Sequence, residues 1–368
     1  MSTDLTLVTG FPRVLAKCLA RELLARPETH IALLVRPSRL ELAQGFLSEL
    51  GEERARRVEL LEGDVTSLDL GLPGRDWLAL ARRVTAIQHA AQVTSDSAEG
   101  PRTERVNVQG TREVLELARE APELRRLVAY SSTLVAGDAR GTVREEDFDL
   151  GQRFRSPVEA SLWRAEALLR RAREKLPVTI VRPSLVVGDS RTGEVDQLEG
   201  PYLFLLLLLN APAEVSLPLP GRGDAPLDLV PVDYVARAGL ALAEAPEALG
   251  RTFHVLDPAP TTARAVFEAV ARAAGRRLPR GFIPMNLTRA FLSAPGIERI
   301  ARSPRAFLER LAPRATFRDD GARALLGARG LRCPPFESYV DPLVAWVRSA
   351  QAPKAVDEPP EAIDDALL

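Results

Sequence analysis

Apolar residues in this chain fall into short runs separated by longer stretches with helical spacing. Asp4–Thr9 (DLTLVT), Ile31–Val35 (IALLV), Val58–Glu62 (VELLE), Ala86–His89 (AIQH), Leu127–Ser131 and Val178–Val181 are the short runs. Their length and apolar, often β-branched content predict strands. Leu15–Ala25, the stretch that runs through Leu50, Arg105–Arg119 and Val158–Arg173 place apolar residues at helical intervals. Strand–helix alternation at this pace implies right-handed crossovers and a parallel sheet covered on both faces. The expected fold class is α/β: a doubly wound, Rossmann-type sheet with a smaller, mostly helical C-terminal lobe.

The second half is less regular. Pro and Gly cluster at 211–226, and LDLVPVDYVARAGLAL (227–242) reads as a strand-like start running into a helix. The stretch 261–348 is mostly helical in pattern. We therefore expect residues 1–189, with 227–259, to form a dinucleotide-binding domain, and 190–226 with 260–350 to form a substrate-type lobe. Residues 351–368, rich in Pro and acids, are expected to be a disordered tail. No internal repeat is evident.

Composition narrows the functional classes. The chain has 368 residues, is 46% hydrophobic and carries a formal net charge of −1. That balance argues against a nucleic-acid binder or a polybasic membrane anchor. The longest apolar run, Leu203–Leu209, falls far short of the ~20 residues that a spanning helix needs, and predicts a core helix. No basic start leads into an apolar signal-like region. Cys18 and Cys333 are too far apart in sequence to suggest a disulfide framework, and Cys18 sits in an apolar helical pattern. A reducing, cytoplasmic setting is expected. Lysine occurs only at positions 17, 175 and 354. That scarcity limits which residue could act as a catalytic amine.

Seven segments, in order, resemble the extended short-chain dehydrogenase/reductase family, especially its fatty-acyl and thioester reductases and epimerase-like members. They are VTG (8–10), EGDVT (62–66), HAA (89–91), VNVQGT (106–111), YSST (130–133), VRPSLVVGDSRTG (181–193) and VPVDYV (230–235). The resemblance implies a Rossmann fold, a nicotinamide cofactor (NADP by preference) and an acyl or carbonyl substrate. Members of the family often pair through a two-helix interface, which would include 158–173 here, so a homo- or heterodimer is one expectation and the oligomeric state stays open. The arginines there, Arg164, Arg170, Arg171 and Arg173, would then face solvent or a partner.

The first strand of such proteins ends in Thr-Gly-x-x-Gly-x-x-Gly, which lets backbone approach a pyrophosphate. Here Gly10 remains and Phe11 follows it. Arg13 replaces the second glycine and Ala16 the third. Arg13 could pair with phosphate oxygens, fill the phosphate cradle, or face solvent; weakened dinucleotide binding is the expectation. By the same resemblance Arg36 would select a 2′-phosphate, unless it is a plain surface arginine. Asp64 and Val65 would border adenine, Ala90 and Ala91 would line the inner ribose and phosphates, and Pro183 would contact the cofactor. His89 reads as a structural part of its turn. No other His, Cys or carboxylate stands at metal-ligand spacing. Asn107 would hold backbone or water, or simply pack.

Carbonyl reduction by a nicotinamide needs a proton donor at the developing alkoxide. The family implies a tyrosine with a lysine four residues later on the same helix face. The flanking sequence puts Val158 and Leu162 at those positions, and Ser132 at the third, catalytic hydroxyl position beside Ser131. Val158, Leu162, Ala165 and Leu169 form an apolar stripe. No tyrosine lies between 131 and 201. Tyr130 would have no lysine to lower its pKa. We therefore expect ordinary reductase activity to be lost and the domain to act as a binding or regulatory module, sensing a dinucleotide or an acyl ligand. The alternatives are an active NADP-dependent reductase with a non-standard proton donor and an inactive structural partner of an active homologue.

Overall fold

A computed structural model of the chain describes residues 4–95, 98, 100–198, 201–212, 216–284 and 315–351. Of the tail expected at 351–368, Gln351 ends a helix instead and the rest lies outside the described residues, as does 285–314 of the segment expected to be mostly helical.

Seven strands build the central sheet: β1 (Leu5–Thr9), β2 (His30–Val35), β3 (Val58–Glu62), β4 (Val84–His89), β5 (Arg126–Tyr130), β6 (Val178–Pro183) and β7 (Thr252–Val255). Their order is β7-β6-β5-β4-β1-β2-β3, and every pairing is parallel. The order reverses between β1 and β4. In open α/β sheets the ligand crevice lies at that switch point, beyond the carboxyl ends of the strands.

Helices cover both faces of the sheet and build a smaller cluster beside it. Those of nine residues or more among the described residues are α1 (Val14–Leu24), α2 (Leu40–Leu50), α3 (Gly74–Arg83), α4 (Gly110–Glu120), α5 (Pro157–Ala172), α6 (Pro201–Asn210), α7 (Val232–Ala243), α8 (Ala263–Ala273), α9 (Asp320–Ala328) and α10 (Val340–Gln351). One core cluster packs α1, α2 and α7 on one face of the sheet, and another packs α3, α4 and part of α5 on the other. Burial of each Leu, Ile or Phe in these clusters contributes about 1.5–3 kcal/mol. The Leu203–Leu209 run forms the body of α6, which is largely buried against α8 and α10 in a separate cluster. α9 instead packs with the sheet, through Ala322 and Leu326.

Three local features differ from the expected pattern. The helical run at Arg105–Arg119 begins with a π-helical turn, Glu104–Gln109, before α4. The short strand Gly141–Val143 pairs with Ala315–Phe317, joining segments far apart in sequence. Beside it, the Glu145 carboxylate accepts two N–H groups from the first turn of α9, Gly321 (2.8 Å) and Ala322 (2.9 Å), and also the His254 N–H (3.2 Å). An acid from elsewhere in the chain thus supplies the N-terminal acceptor that α9 lacks locally.

Candidate functional site

The switch-point mouth is built by close backbone contact between the ends of β1 and β4. Gly10 has φ of +95°, and a Cβ there would lie 2.7 Å from the Ala90 carbonyl carbon. Only glycine fits both the dihedral and the gap. His89 holds the turn from beneath: its Nδ1 lies 2.9 Å from Thr9 Oγ1 and its Nε2 3.2 Å from Thr111 Oγ1. Burial pushes its pKa down to about 4, so the ring is neutral near pH 7. His89 is therefore a structural group, and no group of metal-ligating side chains occurs among the described residues. Ala90 and Ala91 are both buried in this turn.

Arg13 lies at the N-cap of α1, where a dinucleotide-binding fold holds its pyrophosphate. Its Nε donates to Asp196 Oδ2 at 3.1 Å, and its Nη1 donates to the Gln92 carbonyl, beyond the end of β4. The side chain thus reaches across the crevice. Asp196 Oδ1 accepts the Val14 N–H, the first of α1, at 2.7 Å. One turn further along α1, Lys17 donates to Glu194 Oε1 at 2.8 Å. Arg21 lies 4.0 Å from the same carboxylate. The position expected to leave bare backbone for phosphate therefore carries an arginine already engaged by an acid of the same chain. Neither Asp196 nor Glu194 stood out in the sequence.

The residues expected to border an adenosine lie at and beyond the ends of β2 and β3. Arg36 is half-buried directly after β2. Asp64 follows β3 and closes a tight turn, its Oδ1 accepting the Thr66 N–H at 2.8 Å. Val65 packs so closely on α4 that a Cβ on Gly110 would meet its Cγ2 at 3.2 Å. Phe11 is buried among the core residues behind α1, 5.6 Å from the Phe46 ring. Pro183 ends β6 and is buried.

The face of α5 that would carry chemistry is hydrocarbon. Val158 is 0% exposed and Leu162 is 2% exposed, and both pack on Val135. Leu134 and Trp163 flank this cluster, and Trp163 stacks on Phe148 with centroids 4.9 Å apart. Ser156 caps α5 by accepting the Glu159 N–H at 3.3 Å. Among the hydroxyls, Ser131 donates to Glu166 Oε2 at 2.8 Å. Ser132 is buried and its Oγ accepts the Leu134 N–H at 3.2 Å. Asn107 clamps backbone: it accepts the Val93 N–H at 2.6 Å and donates to the Val93 carbonyl at 3.0 Å.

No tyrosine belongs to the Val158–Leu162–Val135 cluster. Burial pushes the pKa of Tyr130, Tyr202, Tyr234 and Tyr339 far up. Tyr130 donates to Gln88 Oε1 at 3.0 Å, and its hydroxyl is so close to α7 that a Cβ on Gly239 would lie 2.2 Å away. Arg170, expected to face solvent or a partner, instead turns inward and donates to Glu166 Oε1 at 2.8 Å. Burial opposes the charge on Glu166, but Arg182 and Arg170 outweigh it and hold its carboxyl below the usual range. That buried group ties α5 to β6 and is structural.

These residues only partly suit a nicotinamide dinucleotide. The Gly10 turn and the ends of β2 and β3 suit its adenosine half. The phosphate position meets the Arg13–Asp196 pair, and the Val158–Leu162 face offers nothing to hold ribose hydroxyls.

Sheet order, the Gly10 turn and the β1/β4 mouth define an NAD(P)-binding, SDR-type α/β domain. Residues 5–239 match the male sterility protein family, and the chain belongs to that family. It is 31% identical over 292 residues to a carboxylic acid reductase of Mycobacterium tuberculosis, spanning 68% of this chain and 24% of that protein. It is 29% identical over 283 residues to a glycine betaine reductase of Emericella nidulans, spanning 72% of this chain and 21% of that protein. The chain thus spans a quarter or less of these curated relatives. Among solved structures, the terminal R domain of the myxalamid PKS-NRPS pathway matches with a TM-score of 0.80 and 26% identity, over 96% of this chain and 93% of that one. UDP-glucuronic acid 4-epimerase from Bacillus cereus, solved with NAD, matches in fold with a TM-score of 0.69 and 16% identity, over 94% of this chain and 99% of that one. No described helix is long and apolar enough to cross a membrane.

Proposed function

We propose that this chain is a reductase-family domain that no longer reduces carbonyls and serves as a binding module for an acyl-type ligand. The observation that carries this reading is the apolar cluster of Val158, Leu162 and Val135 where a proton donor and its lysine would stand. Hydrocarbon can neither donate a proton nor lower the pKa of one that does. The acyl ligand class rests on the relatives, which include a carboxylic acid reductase and a terminal R domain of a synthetase pathway.

A second reading is reduction with Ser132 as donor. It is favoured by one feature: the Ser132 oxygen accepts the Leu134 N–H, so its own proton is not used in that bond. Calorimetric titration with an acyl-pantetheine thioester, paired with a steady-state assay of NADPH oxidation, separates the two. Saturable thioester binding without NADPH consumption supports the binding module. Consumption that disappears in Ser132→Ala supports the reductase. Absence of thioester binding overturns the acyl-ligand assignment.

A further inference from the structure

Residues 188–198 form a strap whose base is tightly fixed. A Cβ on Gly188 would meet the Gly193 carbonyl oxygen at 2.5 Å, and one on Gly193, at φ +75°, would meet the Pro342 oxygen at 2.1 Å. Asp189 Oδ1 accepts the Arg191 and Thr192 N–H groups at 2.8 and 3.0 Å. Ser190 is held by Asp233 through its N–H and its hydroxyl, at 2.9 and 2.8 Å. Beyond this base the chain alternates. Val195 and Leu198 pack on the α6 cluster, while Glu194 and Asp196 meet α1.

The partners on α1 are spaced to receive them. Arg13, Lys17 and Arg21 lie four residues apart along one helix face. α1 has no acid in its first turn and no side-chain cap from Arg13. Its positive end therefore lacks a local anion, and Asp196 supplies one from 182 residues away. A dinucleotide would bring its pyrophosphate to this same helix end.

We propose that Asp196 is a built-in competitor for the dinucleotide's phosphates: it neutralises Arg13, caps α1, and must leave before a pyrophosphate can sit there. Arg13 then has two states. Held by Asp196, it bars the crevice; released, it is a guanidinium beside the phosphate position. This does not depend on the loss of catalysis, because it concerns binding alone.

The test is a fluorescence titration of NADPH into the full chain and its Asp196→Asn variant, with inorganic pyrophosphate as competitor. The Asn side-chain oxygen can still accept the Val14 N–H, so the helix cap is preserved while the charge is removed. Asp196→Asn is expected to bind NADPH about tenfold more tightly or better, with pyrophosphate displacing it. Glu194→Gln, one turn from the helix end, is expected to change affinity less than about threefold. In the unmodified chain, saturating NADPH is expected to speed amide hydrogen exchange in residues 190–198. Affinity in Asp196→Asn that is unchanged, weaker or absent would overturn the proposal. Unchanged exchange of the strap at NADPH saturation would also overturn it, even if the variant failed to fold.

Discussion

The mouth at the ends of β1 and β4 and the first turns of α5 are closed by different physics. At the mouth, Arg13, Lys17 and Arg21 are matched by Asp196 and Glu194, with side chains that keep 18–36% of their surface exposed. Such pairs are partly hydrated, sensitive to salt, and replaceable by another anion. On α5, Val158 and Leu162 are sealed into a cluster with Val135. No anion or solvent can substitute for a packed methyl group. The first closure is a competition that a ligand can win. The second leaves no polar group in that cluster, which is the basis of the proposed loss of carbonyl reduction.

Substitutions at the two places should therefore differ in kind. Leu162→Lys puts an ammonium group into hydrocarbon, with no acid in its cluster to receive it. It should lower unfolding free energy by about 4 kcal/mol or prevent folding, read from denaturant midpoints. An equally stable Leu162→Lys protein would show that this face is wetter than its packing indicates. The mouth depends instead on neutral His89. Its pKa falls from 6.5 to about 4 on folding, so its contribution is present above pH 6.5 and is lost as pH falls towards 4. That contribution is about 3 kcal/mol, and a His89→Gln variant should show a correspondingly flatter stability profile across this pH range.

Gly10→Ala should cost about 2 kcal/mol, because the new Cβ meets the Ala90 backbone and φ is positive. Its thermal midpoint should fall while the α5 cluster stays intact. The smallest effect belongs to Glu194→Gln, which removes one part-exposed ion pair with Lys17. Stability should change by less than about 1 kcal/mol, and the change should vanish at high salt.

The sheet was legible because strand and helix periods are local, and β1 to β6 appear where the apolar runs lie. The apolar face at Val158 and Leu162 was legible for a related reason: the i, i+4, i+7 stripe marks a buried face, and both residues are buried. Arg13 was visible as an intruder, but its partner was not. Asp196 lies 183 residues away from it, and nothing local marks that carboxylate as a helix cap. A weak signal existed in two halves: three bases four apart on α1, and Glu-x-Asp after a Gly-bounded turn. The pairing of Gly141–Val143 with Ala315–Phe317 was invisible for the same reason. Strands of three residues carry too little pattern, and their partners were too distant to suggest each other.

Single-turnover mixing would show whether any group at the α5 face can protonate a reduced carbonyl. Stoichiometric protein, NADPH and an acyl thioester or aldehyde would be combined, and NADPH absorbance followed, with Asp196→Asn run in parallel to remove the barrier to binding. NADPH is expected to remain unoxidised in both proteins, even where the variant binds it tightly. Oxidation at ordinary enzymatic rates, about 1 per second or faster, would contradict it.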